Sequence, residues 1–380
     1  MTSSLRIAIV VHPFTLRRKG GEHAPELARE LLNLGHTVRG FGAPPGVIPR
    51  SGAAEGTPTD ELVGVAGFEP DVVLAYDVLS PAAWLAARAA RKSSAPLLLV
   101  ETGTRSDERD WRSRIGLPFA EALWGPYIRR TASLVVALDP VARERARRRG
   151  FADARIVILP SGIDLNEFRP GLASGLVLRH HVRGRILLYV GQITRERGLS
   201  VLIDAFAQTV GQRSDWTLVF AGDGPAQREL RAQIDRLGIG SHIHWIGRPR
   251  DEELPGLMSA STLLAVPALD DSVRGQHIPR AMACGLPVIA SQMPALAHLV
   301  QHERTGLVAP AGDRAAWVEA LRRASTAPDA RKRWGLLARE EAERELAWTH
   351  IARRFEDLCL SAVAARRAHD LPAHAAPRSP

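Results

Sequence analysis

A chain of 380 residues is long enough for two domains with separate cores, and 45% hydrophobic with 24% charged residues is an ordinary globular composition. The N-terminal apolar run Ile7–Val11 is too short for a signal-peptide core or a membrane span, and two cysteines, Cys284 and Cys359, supply neither a disulfide framework nor a metal-ligand spacing, so a reduced, cytoplasmic protein is expected. The net charge of +9 gathers at Arg129-Arg130 and in Arg143–Arg149, which suits either peripheral contact with an anionic membrane or an exposed helix face, and no nucleic-acid motif accompanies it.

The first half alternates strand and helix. Arg6–His12 is predicted as a strand, Arg17-Arg18-Lys19-Gly20-Gly21 as a loop, Ala24–Leu34 as a helix ended by Gly35, and His36–Phe41 as a second strand. Residues 43–59, rich in Gly and Pro, read as a surface loop. Asp71–Ala75 is a buried strand, Pro81–Arg91 a helix and Pro96–Val100 another strand. Residues 105–115 carry charges of both signs and read as a loop or an exposed helix. Ser133–Leu138 and Arg155–Leu159 complete a mostly parallel sheet, because strands separated by helix-length segments need crossover connections. A boundary between about Pro170 and Gly184 gives one domain over 1–172 and a second over 183–346. A helix over 347–365, amphipathic through Ile351, Phe355, Leu358 and Val363, is expected to pack back toward the first domain, with 366–380 a disordered tail.

The second half carries the chemistry. Tyr189-Val190-Gly191-Gln192 leads to Arg195-Glu196-Arg197-Gly198, and Leu218–Ala221 leads to Gly222-Asp223-Gly224-Pro225. Ile246-Gly247-Arg248-Pro249, Ala281-Met282-Ala283-Cys284-Gly285-Leu286-Pro287-Val288 and Thr305–Asp313 follow in order. Apolar strands ending in Gly let the backbone approach a phosphate, and the next helix begins with free N–H groups. The pattern is that of a nucleotide-binding α/β domain.

These phrases resemble the GT-B glycosyltransferases, and among them the large retaining group usually numbered family 4, over nearly the whole chain. Gly20-Gly21-Glu22 before the first helix resembles the family's N-terminal glycine loop, and Leu159–Asp164 with Phe168-Arg169-Pro170 its interdomain signature. The resemblance implies an α/β fold of GT-B type, with two doubly wound, Rossmann-like domains facing a central cleft, the first for the acceptor and the second for the donor. It implies transfer from a nucleoside diphosphate sugar, UDP- or GDP-linked, to a hydroxyl acceptor (glycan, glycolipid or natural product), with retention and with neither cofactor nor metal ion. The departing diphosphate would be stabilised by basic side chains and a helix N-terminus.

On that resemblance Arg197 replaces the family's diphosphate-binding lysine and offers a bidentate contact, while Gln192 replaces a second phosphate-binding arginine and brings a donor without charge. Gly20 and Gly21 would bring backbone amides to the donor phosphates. Gly275 matches a glycine whose loop faces the sugar and phosphate, and Arg248 stands on the side of the base. Two glutamates usual in the family, eight residues apart, fall on Ser272 and Arg280, and a guanidinium cannot accept hydrogen bonds from ribose hydroxyls. Asp270 and Asp271 adjoin Ser272, so a shift of one residue restores a carboxylate near the sugar; Gln276 and His277 are further polar groups of the loop. In the first domain Thr102 replaces a histidine, Leu74 and Tyr76 replace a histidine pair, and His12 either faces the cleft or turns the chain beside Pro13. Catalysis is assigned to Arg197 and Asp271. Substitutions at Thr102, Gln192, Ser272 and Arg280 also fit a catalytically weakened GT-B protein kept as a binding partner or scaffold, while an epimerase or phosphorylase fits the phrases least.

Overall fold

The computed structural model describes residues 4–11, 23–42, 61–78, 80–102, 111–209, 215–273 and 275–370. Strand β1 (Arg6–Val10) leads to helix α1 (His23–Asn33), β2 (Thr37–Phe41), α2 (Glu61–Gly67), β3 (Val72–Tyr76) and α3 (Pro81–Lys92). Next come β4 (Leu97–Glu101), α4 (Trp111–Thr131), β5 (Ala132–Ala137), α5 (Pro140–Arg148) and β6 (Ile156–Ile158). Continuing along the chain are α6 (Gly175–Arg179), β7 (Arg185–Val190), α7 (Leu199–Thr209), β8 (Trp216–Ala221), α8 (Gln227–Leu237), β9 (Ile243–Gly247) and α9 (Leu254–Ser259). Then follow β10 (Leu263–Val266), α10 (His277–Ala283), β11 (Val288–Ser291), α11 (Pro294–Ala297), β12 (Gly306–Ala309), α12 (Arg314–Thr326) and α13 (Pro328–Glu341). A π-helical stretch, Ala342–Leu346, precedes the last helix, α14 (Trp348–Asp370).

Contacts divide the chain into one unit of Met1–Gly162 with Trp348–Pro380 and another of Ile163–Ala347. The first holds a six-stranded sheet ordered β2-β1-β3-β4-β5-β6, parallel throughout. Strands β3 and β4 are buried along their whole length, as expected of unbroken apolar runs covered on both faces. Helix α3 begins where the Ser80 hydroxyl accepts from the Ala83 amide (3.0 Å) and Pro81 occupies the first turn; its buried face is all alanine, which lets it lie close on the sheet. Helix α4 runs 21 residues through Pro118 and Pro126, where sequence rules argue for interruption. Its second half is held by packing instead: Ile128 is buried, and Trp124 stacks on Trp84 with centroids 6.0 Å apart.

Helix α14 buries Trp348, Ile351, Ala352, Phe355, Cys359 and Val363 in the core of this unit, beside α1. It continues to Asp370, so residues 366–370 are helical rather than part of a tail; no Gly or Pro interrupts the chain before Pro372. Residues 371–380 lie outside the described set. Glu356 Oε1 meets His36 Nε2 at 3.1 Å, and His36 Nδ1 accepts from the Leu5 amide at 3.1 Å, which fixes the ring tautomer and joins α14 to the start of the sheet.

The second unit begins at Ile163, not near residue 183, because the intervening segment buries its apolar side chains there. Phe168, Leu176 and Val182 enter its core, and the Ile163 amide donates to Leu346 at 2.7 Å. Its sheet is ordered β12-β11-β10-β7-β8-β9, again parallel. The arginines of Arg143–Arg149 are largely paired. Arg143 meets Asp153 at 2.7 Å, Arg147 and Arg148 share Glu144 at 2.9 Å each, and Arg145 and Arg149 reach Glu101 at 3.7 and 3.3 Å. Among the described residues no helix is long and apolar enough to cross a membrane.

Candidate functional site

In the second sheet the chain builds outward from β7 through β8 and β9, then returns to the other side of β7 with β10, β11 and β12. The order therefore reverses between β7 and β10. A crevice opens at such a switch point beyond the carboxyl ends of the strands, where open α/β sheets take their ligands. Two loops border it: residues 191–198 after β7, and 267–273 with 275–276 after β10.

The loop after β7 is closely pinned. The Gly191 amide donates to Ala221, the Ile193 amide to Asp223 and the Ala226 amide to Ile193, at 3.1, 2.9 and 3.1 Å. The Tyr189 hydroxyl donates to the Gln192 carbonyl at 2.6 Å. Arg195–Arg197 form one 3-10 turn, closed by Gly198 in the left-handed region (φ +64°). A side chain on Gly198 would run into the Pro267 carbonyl oxygen, so glycine is required both for conformation and for the approach of the second loop. The Leu269 amide donates to Glu196 at 2.9 Å and joins the two loops directly.

Arg197 is half-buried on this loop. Among the described residues no carboxylate pairs with it, whereas neighbouring Arg195 is bound to Glu229 at 3.0 Å. Its charge acts on the phenol of Tyr189, which burial pushes well above the ordinary range and Arg197 pulls back down. Gln192 is exposed at the crest of the loop.

In the second loop Asp270 Oδ1 accepts from the Ser272 amide at 2.8 Å, a side-chain turn that carries Asp271 to the surface. Gly275, at φ +64°, is packed so tightly that a Cβ would lie 2.6 Å from Leu296 Cδ2. Its carbonyl accepts from the Ile278 amide at 2.8 Å as α10 begins, with Gln276 Nε2 3.2 Å from His277 Nε2. Arg280, in the last turn of α10, lays its guanidinium over the ring of Phe168 (5.3 Å to the centroid), a buried residue whose carbonyl accepts from Arg339 at 2.9 Å. The position that the family fills with an acid is thus a packed cation on an aromatic ring. Arg248 is exposed after β9, the edge strand two places from β7.

The structure therefore gathers Arg197, Gln192, Asp270, Asp271, Ser272, Gly275 and Gln276 on two joined loops at the switch point, with His277 and Arg280 on the helix that follows. Arg248 stands apart on the outer side of the sheet. Gly20, Gly21 and His12 lie outside the described residues. Among those described, no three His, Cys, Asp or Glu side chains gather where they could share a metal ion.

The corresponding carboxyl edge of the first sheet carries groups that motif reading passed over. Thr102 Oγ1 donates to Asp77 Oδ1 at 3.0 Å, and Asp77 adopts a left-handed conformation (φ +60°) at the end of β3. Glu101, 2% exposed, meets Arg149; burial raises its carboxyl, and the Arg149 charge opposes that rise. His23, 1% exposed, has Nδ1 2.7 Å from the Tyr76 hydroxyl and its ring among the edges of Tyr76, Trp348 and Phe355. Burial lowers its pKa to about 3. Glu101 had one available signal, a carboxylate closing an apolar strand. Tyr189 and His23 had none, since their partners come from elsewhere in the fold.

Comparison with known proteins follows this division. Residues 14–162 match the family described as "Glycosyl transferase 4-like domain" and residues 177–341 that described as "Glycosyl transferases group 1". A D-inositol 3-phosphate glycosyltransferase of Jonesia denitrificans is 28% identical over 239 residues, covering 59% of this chain and 56% of that protein. A 2-deoxystreptamine glucosyltransferase of Streptomyces kanamyceticus is 26% identical over 215 residues, 55% of each chain. The match thus spans little more than half the length of these curated relatives. Among solved structures, Anabaena Alr3699/HepE in complex with UDP superposes with a TM-score of 0.74 at 19% identity, covering 94% of this chain and all of that one. Sucrose-phosphate synthase from Thermosynechococcus elongatus gives 0.69 at 22% identity over 96% of this chain and all of that one. Two family matches that together take in most of residues 14–341, on a pair of six-stranded parallel sheets of GT-B type, make this chain a member of the group 1 glycosyltransferases.

Proposed function

We propose that the protein transfers a sugar from a nucleoside diphosphate sugar to a hydroxyl acceptor, with retention at the anomeric carbon and without a metal ion. What carries the reading is Arg197: a guanidinium with no acidic partner among the described residues, on a pinned loop at the switch point of the donor-type sheet. A departing diphosphate gains negative charge as its bond to the anomeric carbon breaks, and a fixed cation there stabilises the transition state more than the ground state. The leaving phosphate oxygen takes the acceptor proton as the new glycosidic bond forms on the same face, so no protein nucleophile is needed. Asp271, exposed on the joined loop, is assigned to the sugar hydroxyls, and Asp270 shapes the turn that presents it. Gln192 adds an uncharged donor to the phosphate side. Arg280, occupied with Phe168, leaves the ribose without the usual acid at that position.

UDP compounds are the first to test, since the Anabaena protein has been solved with UDP and with UDP-glucose. GDP compounds and the free diphosphates complete the panel. A ligand at about a hundredfold over its dissociation constant stabilises a folded protein by about 2.7 kcal/mol. Thermal stabilisation by one base series, lost in Arg197→Ala, is the expected result. Stabilisation that survives in Arg197→Ala would remove the phosphate role from that residue. No response to any nucleotide would favour a weakened GT-B scaffold.

A further inference from the structure

The peptide unit between Gln192 and Ile193 is held at both ends. Its carbonyl accepts from the Tyr189 hydroxyl at 2.6 Å, and its N–H, that of Ile193, donates to Asp223 at 2.9 Å. Tyr189 is 3% exposed, and its ring is fixed in the core against Phe220 with centroids 6.1 Å apart. The hydroxyl is thus a rigid post reaching from the core to the loop. Gly191 lies close against it, where a Cβ would stand 3.0 Å from the hydroxyl oxygen. A phenylalanine would fill the core equally well, so packing does not account for the hydroxyl.

We propose that Tyr189 is a positioning residue for donor binding: its hydroxyl sets the loop that presents Gln192 and Arg197 to the diphosphate. The inference rests on the donor-site reading above and extends it to a residue that touches no ligand. A part-buried carbonyl that loses its one fixed donor turns to find another, and turning this peptide breaks the Ile193–Asp223 bond on its far side. The five residues from Gln192 to Glu196 then reach Arg197 with two fewer anchors, held by the Gly191–Ala221, Ala226–Ile193 and Leu269–Glu196 bonds. Preorganisation lost before binding is recovered at the expense of affinity.

The test compares wild type with Tyr189→Phe in the full-length chain, using UDP as probe and amide hydrogen exchange as an independent readout. Tyr189→Phe is expected to speed exchange at Ile193 by about fivefold, the factor a single net hydrogen bond carries, while amides of α7 and β8 stay protected. Affinity for UDP is expected to fall by a similar factor, with the Michaelis constant for a sugar donor rising and kcat little changed. A purely structural role would lower the melting temperature and leave the affinity of the folded protein intact. Unchanged exchange at Ile193 together with unchanged UDP affinity would overturn the proposal. If wild type binds neither UDP nor GDP, the donor reading falls on that result, and unchanged exchange at Ile193 would then dispose of the positioning role separately.

Discussion

Lowering the pH from 7.5 to 5.0 is expected to cost the first unit about 2 kcal/mol through one side chain, His23. Its imidazole sits within an aromatic box, with Nδ1 on Tyr76 and Nε2 buried without a hydrogen-bond partner among the described residues. Among the described residues no acceptor awaits a second ring proton, and burial takes the pKa from 6.5 to about 3. The unfolded chain binds a proton below about 6.5 while the folded unit declines it, so stability falls as the pH drops through that window. At pH 5.0 the unfolded value lies about 1.5 pH units above the solution and the folded value well below it. At about 1.36 kcal/mol per pH unit, this gives the stated 2 kcal/mol. His23→Phe keeps a ring in the box and removes the titration; the stranded Tyr76 hydroxyl costs about 1–3 kcal/mol at either pH. Peptide-resolved hydrogen exchange across a urea series separates this unit from the other, which a single melting curve does not. Equal losses between pH 7.5 and 5.0 in wild type and His23→Phe would refute the reasoning, because carboxylates elsewhere contribute alike to both.

Two further outcomes follow from the packing. Gly198→Ala places a methyl group against the Pro267 carbonyl at a left-handed φ, so the turn must shift and pull the two site loops apart. A loss of about 1–3 kcal/mol in the second unit is expected, together with loss of nucleotide affinity; a variant that binds nucleotide like wild type would show that the loops need not be joined. Burial pushes both thiols, Cys284 and Cys359, up to about 12, so neither should react with a disulfide reagent at pH 8 in the native protein. Two thiols should appear on denaturation; a fast native reaction would show that one of these cores opens.

Much of the fold was legible because it rests on local regularities. Unbroken apolar runs such as Val72–Tyr76 and Leu97–Val100, spaced by helix-length segments, require a parallel sheet with crossovers, and Ser80-Pro81 marks a helix start wherever it lies. The phrases around Gly191 and Gly222 are strand ends followed by tight turns, and that around Met282 is a helix end turning into strand β11, all of them local patterns. Other features needed the assembled structure. The sequence puts a boundary between about Pro170 and Gly184, yet the chain from Ile163 onward joins the second unit because Phe168 and Val182 find their core there. Helix α4 contradicts its own prolines and is held through Trp84 and Trp124. Arg280 reads in the sequence as a residue unable to accept from ribose, and its place over the ring of Phe168, 112 positions earlier, depends on the fold. Sequence by itself determined which residue types stand at each strand end, because propensity and periodicity act over a few neighbours. Only the tertiary structure decided which of them meet, which charge stays without an acidic partner and which hydroxyl holds the loop, because those outcomes depend on strand order and on burial between residues far apart in the chain.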